Sequence, residues 1–241
     1  MLRSYLKMRF TAKESKTVLI LLLLYSLFAY FNPNILVLPF WGRNPQFYLA
    51  NYAGFFFWFA ALFFILPLFA VYLQPNFHYF QNISIVYRFK NTDAYWMRRV
   101  VASFIESALY VSFLYVLLLI RAAFFHQFFH YIQDWSFFLK SYFLQIAAFT
   151  LFTVMYIFWS SLFRRLILGF AVTYLLFAYD YIAANVGLPP IYLLCSISFR
   201  PEDLSFYWPV LLMTLSYLTI FIIFGFLILK KQDHLQKAVS K

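Results

Sequence analysis

The chain has 241 residues, of which 65% are hydrophobic and 11% charged, with a mean hydropathy of +0.77. A soluble domain carries about a quarter charged residues, so this chain cannot cover a water-facing surface, and disorder is excluded by the same figures. Its single cysteine, Cys195, excludes a disulfide-stapled module, and unbroken apolar runs such as Thr17 to Phe31 exclude the alternation of a membrane β-barrel.

The remaining class is an all-α, polytopic membrane protein forming a single transmembrane domain. Residues 1–16 are basic, and Leu2, Tyr5, Leu6 and Phe10 recur at helical spacing, which predicts a helix lying in the membrane interface. No signal-peptide cleavage site follows. Thr11 with Glu14 matches a capping box, so a new helix is predicted to begin there. Six spans are predicted, at roughly 17–36, 50–73, 100–121, 141–163, 166–184 and 207–229. Asn32-Pro33-Asn34 weakens the outer end of the first. Pro67 inside the second requires neighbours to satisfy a freed carbonyl. Pro209 falls in the first turn of the sixth, where proline is tolerated.

All but Arg43, Arg121, Lys140 and Arg200 of the 19 Lys and Arg residues fall on one side of this arrangement. The positive-inside rule then puts both termini in the cytoplasm, and an even number of spans agrees. The +11 net charge is thereby read as a topology signal and not as a nucleic-acid footprint. Trp41, Tyr48, Tyr95, Trp96, Trp135, Tyr207 and Trp208 stand where membrane interfaces are predicted and read as aromatic belts. The Asn82-Ile83-Ser84 acceptor sequence falls on the cytoplasmic side and carries no meaning there.

Buried charge is the informative signal in such a chain, because it is costly and faces a partner or an aqueous path. Glu106 lies about two turns into the third span. With Arg99, Ser103, Ser107 and Tyr110 it makes one polar stripe on an otherwise apolar helix. The stripe reads either as a charge-paired interface or as an acid that snorkels to water. Asp180, near the outer end of the fifth span, is expected to be solvated or bonded by Tyr179 or Tyr181. His126 and His130 have helical metal-pair spacing without a third ligand, Cys195 has no obvious base, and no glycine-rich phosphate loop exists. Neither metal nor cofactor is expected on this chain, and it is not expected to be an enzyme.

The connection 74–99 is the longest predicted on the cytoplasmic side. Pro75 is expected to end the second span. An amphipathic stretch from Phe77 to Phe89 follows, with Phe77, Tyr79, Phe80 and Tyr87 exposed beside Arg88 and Lys90. Exposed aromatics need an apolar cover, which either a soluble partner or the headgroup region supplies.

In layout the whole chain resembles the ABC-2 type permeases, the membrane subunits of bacterial ABC exporters. The resemblance rests on the basic N-terminal segment, six spans with both ends inside, and the 74–99 loop with Ile85-Val86-Tyr87-Arg88-Phe89-Lys90. It rests also on the tight turn Phe163-Arg164-Arg165-Leu166 and the Pro-containing outer segment Gly187 to Asp203. It implies a bacterial plasma-membrane permease subunit, paired with a second permease chain, the same or different. A separate ATPase that binds ATP and Mg would dock on Phe77, Phe80, Tyr87, Arg88 and Lys90. It also implies that 185–206 dips back as a re-entrant segment of short helices that gate the exit. The spans suit a hydrophobic or amphipathic substrate, a peptide or a lipid, and small permeases of this sort resemble those of bacteriocin and lantibiotic export or immunity. Three other readings remain. One is an intramembrane enzyme, for which Glu106 lacks a second catalytic group at its depth. Another is a secondary transporter, for which inverted repeats are not evident. The last is a sensor or anchor subunit that transports nothing.

Overall fold

The structure, a computed structural model, describes residues 11–31, 52, 55–56, 58–81, 92–124, 134–199 and 205–239. Among these there are helices and turns and no strand. Helix α1 spans Lys13–Phe31. A composite second rod comprises α2 (Trp58–Ala60), a π-turn (Ala61–Ile65) and α3 (Leu66–Tyr72), and a short helix, α4 (Gln74–Gln81), continues it. Four long helices follow: α5 (Thr92–Phe124), α6 (Trp135–Phe163), α7 (Leu166–Val186) and α8 (Tyr207–Val239). Five of these rods are long and apolar enough to cross a membrane: Trp58–Phe80, Thr92–Ala123, Trp135–Phe163, Leu166–Ala183 and Tyr207–Lys231. By length and composition the chain is thus a multi-pass helical membrane protein. Helix α1 spends its first turn on Lys13, Glu14 and Lys16, and the rest of the predicted first span lies outside the described residues. The predicted N-terminal interfacial helix, His126, His130, Tyr87, Arg88 and Lys90 also lie outside them.

Helix α6 is hydrophobic on all sides, and such a helix belongs in the middle of a bundle. Of its most apolar stretch 72% is buried, against 11% for α8. It packs against α5, α7 and α8, while α1 packs on α3 and α5. Phe69, Tyr110, Phe149, Phe152 and Phe177 form the aromatic centre, with ring centroids 4.7–5.4 Å apart in the Phe69–Phe149, Phe69–Tyr110, Tyr110–Phe149 and Phe152–Phe177 pairs. The opposite faces of the outer helices are apolar as well. On α1, Val18, Leu22 and Tyr25 recur at helical spacing toward the core, while Ile20, Leu23 and Leu24 point outward. In water such a face would drive aggregation, but hydrocarbon solvates it as well as protein does.

The rods alternate in direction. Phe77 of α4 lies 4.4 Å from Tyr156 near the end of α6, and the Trp96 indole of α5 donates to the Ile222 carbonyl of α8 at 2.9 Å. One end of the bundle therefore gathers Arg98, Arg99, Arg164, Arg165, Lys230 and Lys231. At the other, Lys140 lies over the Tyr207 ring at 5.7 Å. Trp96 is buried against Gly225, where an added Cβ would stand 2.2 Å from its ring. It is thus a helix-crossing residue and not the belt residue its position in the sequence suggests.

Two proline positions behave differently from expectation. Pro75 does not end the second span but stands in the first turn of α4, where its missing N–H costs nothing, so the rod runs on with a break at Leu73. Before Pro67 the helix widens into the π-turn, with the Leu66 N–H reaching the Ala61 carbonyl. The wider turn makes room for the ring, which would clash with a carbonyl of the preceding turn in a regular helix. The Tyr110 hydroxyl donates to the Ile65 carbonyl at 2.8 Å, so a neighbour does serve this stretch of backbone.

Helices α6 and α7 join through two residues, Arg164 and Arg165. Arg164 caps α6 at φ 55°, a left-handed conformation that costs a non-glycine residue about 1 kcal/mol. The hairpin closes tightly because residue 169 is glycine: a Cβ there would stand 2.5 Å from the Ser160 backbone nitrogen. Opposite effects are expected at these two positions. Arg164→Gly should raise thermal stability in detergent by about 1 kcal/mol, and Gly169→Ala should lower it by about 1–3 kcal/mol through overpacking. Equal shifts of one sign in a melting experiment would contradict this hairpin geometry.

Candidate functional site: the arginine corner and the fold-back

The polar stripe of α5 faces inward along its whole length. Ser103, Glu106, Ser107 and Tyr110 are fully buried, and Arg99 is 6% exposed. The two serines serve their own helix: Ser103 Oγ donates to the Arg99 carbonyl and Ser107 Oγ to the Ser103 carbonyl, both at 2.8 Å. Tyr110 donates to Ile65 and packs at 5.2 Å on Tyr72, so the stripe faces the second rod of the same chain. Glu106 is held inside the bundle and does not reach the surface.

At the basic end the stripe meets α4. The Arg99 guanidinium lies 6.0 Å from the Phe77 ring, 5.8 Å from Phe80 and 5.6 Å from Tyr95. A desolvated cation facing aromatic rings gains about 2 kcal/mol from their quadrupoles, and three rings converge here. The Tyr95 hydroxyl closes the corner by donating to the Phe80 carbonyl at 3.1 Å. Phe77 and Phe80 are therefore buried within their own chain, and their expected exposure to the cytosol is corrected. The reason is that α4 folds onto α5 and α6, where Tyr156 and the Arg99 corner cover its apolar face. The exposed side of α4 carries His78, with Tyr79 half-buried beside it.

At the opposite end residues 188–199 turn back into the bundle without forming a helix. Gly187, at φ 75°, ends α7, and its N–H and that of Leu188 both reach the Ala183 carbonyl. Irregular backbone at this depth needs internal partners. Asp180 supplies them: Oδ1 accepts from Ile191 N–H at 2.7 Å and Tyr192 N–H at 3.0 Å, and Oδ2 accepts from Leu194 N–H at 2.7 Å. It is fully buried, so the expectation that it is solvated or bonded by a neighbouring tyrosine gives way to this backbone role. Gln145 Nε2 donates to the Ile197 carbonyl at 2.9 Å and lies 3.2 Å from the Tyr52 hydroxyl, while Ser198 Oγ donates to the Phe56 carbonyl. Two hydroxyl pairs stand nearby, Tyr115 with Ser141 and Ser112 with Tyr142, each at 2.8 Å.

Sequence reasoning missed this second cluster. Its one visible signal was Gln145, an amide inside an apolar run, which is as informative as a buried charge. Arg121, counted among the four cations away from the basic side, is 5% exposed in the last turn of α5, where a cation complements the helix dipole. No group of three or more possible metal ligands exists among the described residues.

Two outcomes are expected. Phe77→Ala and Phe80→Ala should each destabilise the folded protein by about 3–5 kcal/mol, because both side chains leave core cavities. Wild-type melting of these variants would return the two rings to a docking role only. Asp180→Asn should leave one backbone N–H facing an amide donor, at a cost of about 1–3 kcal/mol. Half-buried Cys195, in the same fold-back, should then react faster with a maleimide, and an unchanged rate would separate Asp180 from this segment.

No family model, no curated protein and no solved structure matches the chain.

Proposed function

We propose that the chain is the permease subunit of an ATP-driven exporter of the ABC-2 type, standing in a bacterial plasma membrane with its basic end in the cytoplasm. The observation that carries this reading is the Arg99 corner. A short helix, α4, carries its membrane-spanning rod on past Leu73 and is fastened at the basic end to α5 and α6. A force applied to α4 would pass through Arg99 and Phe77 to two spanning helices at once. That is what a membrane subunit needs if a soluble ATPase is to move it. Because the apolar face of α4 is already covered, the ATPase would grip the opposite face around His78 and the adjoining basic connection with Arg88 and Lys90. ATP and Mg would be held by that partner, and a second permease chain would complete the pathway. The largely apolar and aromatic surfaces of the spans suit a peptide or lipid cargo with hydrophobic character, as bacteriocin-type exporters carry.

The gathering of arginines and lysines at one end of the bundle supports the orientation. With Cys195 replaced by serine, a cysteine at Arg164 should react only after the membrane is breached. One at Leu188 should react with an impermeant reagent in intact cells. The partner is tested by purifying the tagged chain in mild detergent. An ATPase with a Walker motif should co-purify, and His78→Glu should reduce its recovery while leaving the melting temperature unchanged. Stable, folded permease that brings down no ATPase, and cells that show no ATP-dependent efflux attributable to it, would remove the exporter reading in favour of an anchor or sensor.

A further inference from the structure

We infer that the π-turn of the second rod builds a binding groove for one acyl chain of a bilayer lipid. The groove has a volume of 430 Å³ and lies between α1 and the second rod. Leu21 and Leu24 of α1 form one wall, Phe63, Phe64 and Leu68 the other, and Tyr25 and Pro67 complete the lining. The volume falls within the roughly 300–1,000 Å³ of small-molecule sites. Two of the lining residues, Phe63 and Phe64, belong to the π-turn itself. The π-turn Ala61–Ile65 carries an additional residue per turn, and the consecutive Phe63 and Phe64 are both about half exposed on the outer face. Phe64 stacks on Tyr25 at 5.6 Å and 22°, and Phe63 packs on Phe59 at 4.5 Å, so two ring pairs brace that wall.

The chemistry of the lining selects hydrocarbon. Pro67 has no N–H to offer. Tyr25, the polar side chain in the lining, donates its hydroxyl proton to the Phe55 carbonyl at 3.1 Å. A peptide in this groove would leave its own N–H and C=O groups unmet, which is costly in a hydrocarbon setting. A helix from a second copy, about 10 Å across with a rise of about 1.5 Å per residue, would place only about one turn in 430 Å³. An acyl chain meets both conditions, and it is already at hand, because the exposed edges of Leu21, Leu24, Phe63 and Phe64 belong to the bilayer-facing side of a spanning rod and its neighbour. This inference needs only that the helices stand in a bilayer and does not depend on the exporter reading.

The test separates a bound chain from the general coat of lipid. The full chain is reconstituted in phosphatidylcholine vesicles containing a phospholipid with a diazirine on its acyl chain, irradiated, digested and mapped by mass spectrometry. The reference is the outer face of α8, where Leu212 and Ile223 are at least as exposed as Leu21, Leu24, Phe63 and Phe64 of the groove. Label per residue should be several-fold higher on α1 and the π-turn than on α8. Leu24→Trp, which fills the groove from the α1 side, should abolish that excess and leave labelling of α8 unchanged. If Leu24→Trp fails to assemble, Leu21→Trp makes the same test. Labelling that follows exposure equally on both faces, or an excess that survives the tryptophan, would overturn the proposal.

Discussion

Hydrocarbon offers no hydrogen bonds, so every place where this chain departs from a regular helix has to be met by a side chain from elsewhere. The structure follows that constraint at several of these places. Tyr110 of α5 serves the Ile65 carbonyl beside the π-turn, and Tyr25 serves Phe55 at the start of the same rod. Tyr95 reaches the Phe80 carbonyl near the end of α4, and Trp96 reaches Ile222 where α8 crosses α5. At the opposite end Asp180, Gln145 and Ser198 make the bonds that hold the non-helical fold-back. Most of these bonds link distant parts of the chain, so the departures from helix are also where the bundle is tied together.

The same constraint explains why the polar residues sit where they do. Many serines and threonines that have no break to serve bond the carbonyl four residues earlier, as Ser103, Thr150, Thr153 and Thr173 do. Two of the costly groups show how burial is met. Asp180 gives both oxygens to backbone N–H groups, and Arg99 lies among aromatic rings at the basic end of α5. Neutral aromatic faces let a cation be buried without a carboxylate beside it, and they leave α4 attached through contacts that tolerate small rotations. That combination distinguishes the corner from the aromatic centre around Phe149, which is packed from all sides and suited to staying still.

Class and inward faces were legible in the residues. An apolar run such as Leu19 to Leu24 has few homes other than hydrocarbon or a core, and the polar stripe from Arg99 to Tyr110 declared one face of α5 because helical period alone puts those residues together. The tight turn at Arg164–Arg165 was legible too, since two residues between apolar runs leave only an antiparallel hairpin. The aromatics of α4 were misjudged for a physical reason. Amphipathic spacing shows that Phe77 and Phe80 share a face, but it does not say whether that face meets another protein, the headgroups or the chain itself. Trp96 shows the same ambiguity: an interfacial tryptophan and one set over a glycine on another helix look identical until Gly225 is brought opposite.

The sequence by itself determined the apolar solvent of this protein and the end at which its cations collect, because these follow from composition and from periods of a few residues. Only the tertiary structure decided what meets each break: Tyr110 beside the π-turn, Gln145 on Ile197, Asp180 on the turn that follows Gly187, and α4 against Arg99. Several of these pairs join positions far apart in the chain, through side chains whose spacing carries no period. Their partners are fixed by which helices lie side by side, and that is settled by the packing of the whole bundle around α6.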